Sequence, residues 1–252
     1  MTGSSQGIGK AIARGLASEG AKLTICARKE DALKKTADEL ESELGTEVLP
    51  FQADLAVKEE IQSMVKATAE KFGSVDILVN NTGGPRSALF LETSERDWHE
   101  AMNSLLMSVV NCCKEVIPYM KKNRWGRIIN MTSFAAKQPA ERLILSNAVR
   151  AGVLGLTKTL SNEVAEYGIL VNAVCPGWTL TDRVKELAKS TSEKTSKPYE
   201  NVIAEWANNT ALKRLAQPEE IANLVVFLAS EKASYMTGAV IQVDGGLIKS
   251  LL

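Results

Sequence analysis

Short apolar, β-branched runs alternate with longer segments of helical period along almost the whole chain, and this alternation leaves few folds open. Residues 22–27, 48–52, 76–79, 127–131, 170–174 and 239–243 read as strands. Between them, residues 7–19, 29–44, 58–72, 95–121, 146–167 and 218–230 repeat apolar side chains at helical spacing. In the first of these segments Ile8, Ala11, Ile12 and Leu16 fall on one helical face. Pro218 followed by Glu219 and Glu220 is a helix-start signal. Strands separated by helices pair in parallel, and a parallel sheet buries both faces under those helices. The expected class is therefore α/β, a doubly wound parallel sheet with helices on both faces.

Composition narrows the function. Thirty Lys and Arg balance thirty Asp and Glu, so the basic excess of a nucleic-acid binder is absent and no nucleic-acid partner is expected. No apolar run reaches the ~18 residues of a membrane span, so no membrane partner is expected either. The opening Met1-Thr2-Gly3-Ser4-Ser5 is no secretory signal. Cys26, Cys112, Cys113 and Cys175 lack metal-ligand spacing. They read as reduced buried thiols of a cytoplasmic protein, with no metal site. The 252 residues suit one domain over 1–252. Its one change of texture is the polar stretch 185–209. This stretch reads as a mobile lid near the C-terminal ends of the strands, where such sheets bind ligands.

Thr2-Gly3-Ser4-Ser5-Gln6-Gly7-Ile8-Gly9 precedes the first helical segment. Glycines there permit a tight turn and let backbone amides meet a pyrophosphate at a helix N-terminus. Alone the loop is weak evidence. Three further segments follow in order: Asn80-Asn81-Thr82-Gly83, Pro176-Gly177-Trp178-Thr179-Leu180-Thr181 and Val243-Asp244-Gly245-Gly246. Together these motifs resemble the short-chain dehydrogenase/reductase family, in its one-domain form, and most nearly its 3-oxoacyl-carrier-protein-reductase-like branch. The resemblance spans essentially the whole chain. It implies a Rossmann-type sheet, a nicotinamide dinucleotide, and hydride transfer between that cofactor and a small-molecule carbonyl or alcohol. It also implies a homodimer or homotetramer.

By this resemblance the cofactor-binding residues are Gly3, Ser5, Gly7, Ile8, Gly9, Asp54, Leu55, Asn80, Gly83, Arg150, Pro176, Gly177 and Thr181. Arg28 joins them on chemistry. A carboxylate after the second strand of such a fold would bond the adenosine ribose and repel a 2′-phosphate. Here the place reads Cys26-Ala27-Arg28-Lys29, with no acid before Glu30. Arg28 can pair with a 2′-phosphate through its planar fork, which favours NADP(H) over NAD(H). The bland alternative is a solvated helix-start cation.

The family's catalytic set is Asn, Ser, Tyr and Lys. By spacing, the serine falls on Ser133, the tyrosine on Ser146, the lysine on Arg150 and the asparagine on Leu105, with Asn103 pointing elsewhere. Only the serine survives. A phenol titrates near ~10 and can be tuned towards neutrality, whereas an aliphatic hydroxyl cannot. Losing a general acid costs roughly 10²–10⁴ in rate. Ser133, Ser146 and Arg150 are therefore the candidate catalytic residues of an atypical active site, with Tyr199 of the lid as a substitute acid. The rival is a dinucleotide-binding pseudoenzyme acting as regulator or scaffold. His99 on its helix reads as a surface residue.

The first strand of a Rossmann sheet ends at the glycine loop, yet Met1 stands directly before Thr2-Gly3. That strand is central, hydrogen-bonded on both edges. The expectation is a sheet short by its first strand, through truncation or a misplaced start.

Overall fold

The structure, a computed structural model, describes residues 1–251. Its strands are β1 (Leu23–Ala27), β2 (Val48–Gln52), β3 (Ile77–Asn80), β4 (Gly126–Met131), β5 (Ile169–Pro176) and β6 (Val240–Val243). The α-helices are α1 (Gly7–Ser18), α2 (Glu30–Leu44), α3 (Lys58–Phe72), α4 (Glu95–Ala101), α5 (Ser108–Asn123), α6 (Ile144–Val164), α7 (Asp182–Thr195), α8 (Tyr199–Asn208) and α9 (Pro218–Ala229). Every strand pairing is parallel. β1 pairs with β2, and β3-β4-β5-β6 form a second ladder.

Met1 and Thr2 stand between the two ladders. The Thr2 amide donates to the Val79 carbonyl at 3.1 Å, and the Cys26 amide donates to the Met1 carbonyl at 3.1 Å. The Met1 ammonium donates to the Thr24 carbonyl at 2.8 Å, and burial pulls its pKa below the ordinary 8.0. Two residues thus occupy the place of a central strand, at the end from which the glycine loop departs.

Alternate residues of β4 face opposite ways, because side chains in a strand have a period of two. Ile129 joins Ile12, Leu16, Leu33, Leu40, Ile221 and Val225 beneath α1, α2 and α9. Ile128 joins Ile61, Val116, Met120, Val153 and Val171 beneath α3, α5 and α6. This is the doubly wound arrangement expected. A buried polar chain crosses the sheet. Asn80 Nδ2 donates to Asn130 Oδ1 at 2.9 Å, Asn130 Nδ2 to Thr157 Oγ1 at 2.9 Å, and Thr157 Oγ1 to the Val153 carbonyl at 2.8 Å. Each buried donor in it is satisfied, which makes it a strut rather than a liability.

Two segments differ from expectation. Residues 95–121 do not form one regular helix. α4 passes through a π-helical stretch, Met102–Met107, into α5. The stretch 185–209 is helical, built from α7 and α8 packed on each other. Their composition hid them, since Ala188 is the only buried residue of α7 and Val202 the only one of α8.

Candidate active site

The glycine loop joins β1, β3 and α1. Ser4 is buried and ties the loop down, accepting from the Cys26 amide at 2.9 Å and donating to the Met1 carbonyl at 3.0 Å. Gly3 turns with φ +57°, and a Cβ there would meet the Asn81 carbonyl at 2.5 Å. A Cβ on Gly9 would lie 1.9 Å from the Gly3 carbonyl. Only hydrogens fit at this crossing. α1 starts at Gly7 with no capping side chain and no acid in its first turn. Its first amides are therefore left for an anion, in the field of the helix dipole. Ser5 and Ile8 flank this turn, and the Ser5 carbonyl accepts from Thr36 Oγ1 at 3.2 Å. A cradle that a Cβ would fill and an uncapped helix start fit a dinucleotide diphosphate.

Other predicted residues gather at the strand ends. Arg28 follows β1 and is exposed, with no ion pair among the described residues. Asp54 and Leu55 follow β2. The Asp54 carboxylate accepts from the Ala56 amide at 3.0 Å, and Leu55 packs against the core. Asn80 points into the sheet, where it bonds Asn130. The residue that reaches the loop is Asn81, whose Nδ2 donates to the Gly3 carbonyl at 3.0 Å and whose amide donates to Thr2 Oγ1 at 2.8 Å. Strand alternation explains the exchange. Pro176 closes β5, and the Gly177 amide donates to the Val243 carbonyl at 2.9 Å. Thr181 caps α7, its Oγ1 accepting from the Val184 amide at 3.3 Å. A Cβ on Gly7 would meet Thr181 Cγ2 at 3.1 Å, so the glycine loop and the Pro176–Thr181 segment touch.

Ser133 Oγ, half-buried at the end of β4, accepts from the Ala135 amide at 3.1 Å. Ser146 and Arg150 lie four apart on α6, hence on one helical face. Ser146 is 6% exposed, and its hydroxyl has no partner among the described residues. Arg150 is 8% exposed. Its Nη1 donates to the Met131 and Thr132 carbonyls, each at 3.2 Å, and its Nη2 to the Gly83 carbonyl at 3.2 Å. Burial, and then the like charge of Arg183, pull Arg150 down to about 10. It remains cationic at neutral pH. Leu105 sits in the π-helical stretch, 2% exposed, packed with Ala101, Leu145 and Val149. Asn103 beside it is exposed. The apolar replacement is thus matched by apolar packing partners.

Three features escaped the sequence reading. One is Asn81 and its bond to the glycine loop. The second is Arg183 on α7, half-buried, whose Nη2 donates to the Pro85 carbonyl. The third is a ring stack. Trp206 of α8 lies on Trp178 at 4.1 Å and 4°, and Trp178 meets Phe134 edge-on at 5.0 Å. Phe134 adjoins Ser133, so the stack links α8 to the end of β4. Lys194 Nζ adds a bond to the Ser87 carbonyl at 3.2 Å. Tyr199 lines a groove of about 510 Å³ between α7 and α8 with Asp182, Lys185, Glu186, Lys189 and Glu200; Ser133, Ser146 and Arg150 do not line it. His99 is exposed, 3.5 Å from Glu95. Among the described residues no cluster of His, Cys, Asp or Glu could hold a metal ion, and no helix is long and apolar enough to cross a membrane.

Known proteins resemble this chain in sequence and fold. The family described as enoyl-(acyl carrier protein) reductase matches residues 3–248. The 3-oxoacyl-[acyl-carrier-protein] reductase FabG of Staphylococcus epidermidis is 37% identical over 248 residues, covering 98% of this chain and 97% of its own. The L-sorbose reductase of Gluconobacter frateurii, solved with NADPH and L-sorbose, superposes with a TM-score of 0.95 at 35% identity, covering 100% and 96% of the two chains. A single-site variant of the actinorhodin polyketide ketoreductase, solved with NADPH, gives 0.95 at 34% identity over 99% and 96%.

Proposed function

Because the chain belongs to the short-chain dehydrogenase/reductase family, we propose that it is an NADPH-dependent carbonyl reductase whose active site works without a phenol acid. The observation that carries this reading is the α6 pair: a Ser146 hydroxyl with no internal partner on a residue only 6% exposed, four residues from a buried guanidinium that faces no carboxylate. A buried charge held only by carbonyl dipoles, with no carboxylate beside it, is costly to keep, and a decaying site has no reason to keep one. The glycine cradle supports a dinucleotide, and Arg28 supports NADP(H) over NAD(H), as do the NADPH complexes of the similar reductases.

The cofactor supplies a hydride to the carbonyl carbon when bound. Ser133 orients the carbonyl oxygen. As that oxygen gains negative charge, the Ser133 and Ser146 hydroxyls donate to it and the Arg150 charge stabilises it from the sheet end. The proton that completes the alcohol comes from water through these hydroxyls. α7 and α8 form a lid over the site, held by the ring stack and by Arg183 and Lys194. The small residues Ala148, Ala151, Gly152 and Gly155 on α6 supply a flat face for a second copy of the chain.

Loss of 340 nm absorbance across a panel of aldehydes and ketones tests the reading. Turnover that falls at least tenfold in Ser133→Ala and Ser146→Ala, with unchanged melting temperature and NADPH affinity, is expected. NADPH binding without turnover of any carbonyl compound would instead establish the scaffold role.

A further inference from the structure

Two guanidiniums share one strip of backbone at the mouth of the site. Arg150 reaches the Gly83 carbonyl from the sheet side, and Arg183 reaches the Pro85 carbonyl from the lid side. Between them lies Gly84, where an added Cβ would stand 3.3 Å from both Nε and Nη2 of Arg183. Neither arginine forms an ion pair among the described residues. Glu186, one turn along α7 from Arg183, acts on it only at longer range. Lys137 adds a further positive charge, close enough to Cys175 to act on it, as Arg150 also is. Five N–H donors belong to each guanidinium. The bonds above use three on Arg150 and one on Arg183, so most of the fork of Arg183 is unspent. Two desolvated like charges repel, and binding an anion between or beside them relieves that repulsion and satisfies the remaining donors.

We infer that Arg183, backed by Arg150, receives an anionic group, carboxylate or phosphoryl, carried by the carbonyl substrate. This rests on the reductase reading of the same site. The cofactor's own diphosphate is the other source of such an anion, but the uncapped start of α1 and the Gly3–Gly9 cradle already receive it. The Trp206–Trp178–Phe134 stack supplies an apolar wall that begins at Phe134, the neighbour of Ser133. The site therefore takes an oxo acid with an apolar or aromatic body rather than a neutral polyol.

The probes are 2-oxo-4-phenylbutanoate and its ethyl ester, which share the carbonyl and differ in charge. Binding to the enzyme–NADPH complex is measured by calorimetry and turnover by NADPH consumption, for the wild type, Arg183→Gln and Arg183→Lys. The expected result is at least tenfold tighter binding of the acid than of the ester in the wild type. Arg183→Gln abolishes that preference and Arg183→Lys keeps part of it, while the NADPH Kd stays within twofold in both. Absence of an acid preference in the wild type, including binding of neither probe, overturns the inference. So does a preference that survives Arg183→Gln. A matching loss of NADPH affinity in Arg183→Gln would overturn it too, by assigning the arginine to the cofactor diphosphate. An acid preference without turnover of either probe or of any other carbonyl compound would uphold the anion site while refuting the reductase reading.

Discussion

Substituting Gly9 by alanine probes the dinucleotide cradle without touching any charge. The added Cβ would lie 1.9 Å from the Gly3 carbonyl, more than an ångström short of the 3.0 Å that real Cβ atoms keep. Side-chain rotation gives no relief, because the obstacle is backbone. Gly3 is itself pinned by Asn81 Nδ2, and its neighbour Thr2 by Val79. Either α1 or the loop must move, and overpacking of this kind costs ~1–3 kcal/mol. If the displacement falls on the loop, the diphosphate loses its amides and NADPH affinity drops roughly tenfold to hundredfold. Gly20→Ala is the control, since nothing lies within 4 Å of an added Cβ there. It should leave affinity unchanged and cost ~1–2 kcal/mol, because its φ is +83°. NADPH titration by protein fluorescence, with thermal melting of each variant, reads both effects. A Gly9→Ala protein with parental melting temperature and NADPH affinity within twofold would refute the cradle.

Other perturbations separate the remaining parts. Arg28→Glu should weaken NADPH against NADH by roughly tenfold to hundredfold, the worth of a charge-assisted bond to the 2′-phosphate; equal changes for both cofactors would remove Arg28 from that role. Asn80→Leu deletes the bond to Asn130 and leaves a buried acceptor unpaired, so urea unfolding should show a loss of ~1–3 kcal/mol; a loss under half of that range's lower end would contradict the strut. Arg86 and the Ser94 cap hold Asp97 well below the usual carboxylate range, and Arg142 lowers Glu92. Both pKa values are depressed by folding, so their contribution is present above the unfolded values near ~4 and fades as pH falls below them. In the parent the 84–97 segment should accordingly stay protease-resistant down to about pH 4 and lose that resistance only below it, whereas Arg86→Ala should be more sensitive already at neutral pH.

The parts legible in the sequence were those written in local periodicity. α3 runs over Lys58–Phe72 as its apolar spacing demands, and each strand segment falls within a residue or two of its observed bounds. The glycine loop was legible because close backbone approach admits one residue type. What stayed hidden depends on partners distant in sequence. Arg183 looks like one more cation in a polar helix until Pro85 is seen beside it. Trp178, Trp206 and Phe134 lie in three separate segments, and nothing local announces that they stack. Asn80 and Asn81 are adjacent and chemically identical, so only the strand's alternation decides which braces the sheet and which ties the loop. The π-helical stretch around Leu105 has no distinct local signature, since its i→i+5 pattern differs from an α-helix by one residue per turn.

The pH profile of kcat/KM for carbonyl reduction tests the central claim most directly. A site that relies on serine hydroxyls, water and the Arg150 charge contains no acid titrating near neutrality. The profile should be flat from about pH 6 to about pH 9 and fall near pH 10, where Arg150 loses its proton. A decline centred between about pH 7 and about pH 9 that disappears in Tyr199→Phe would show a tuned phenol supplied by the lid, and would contradict the account.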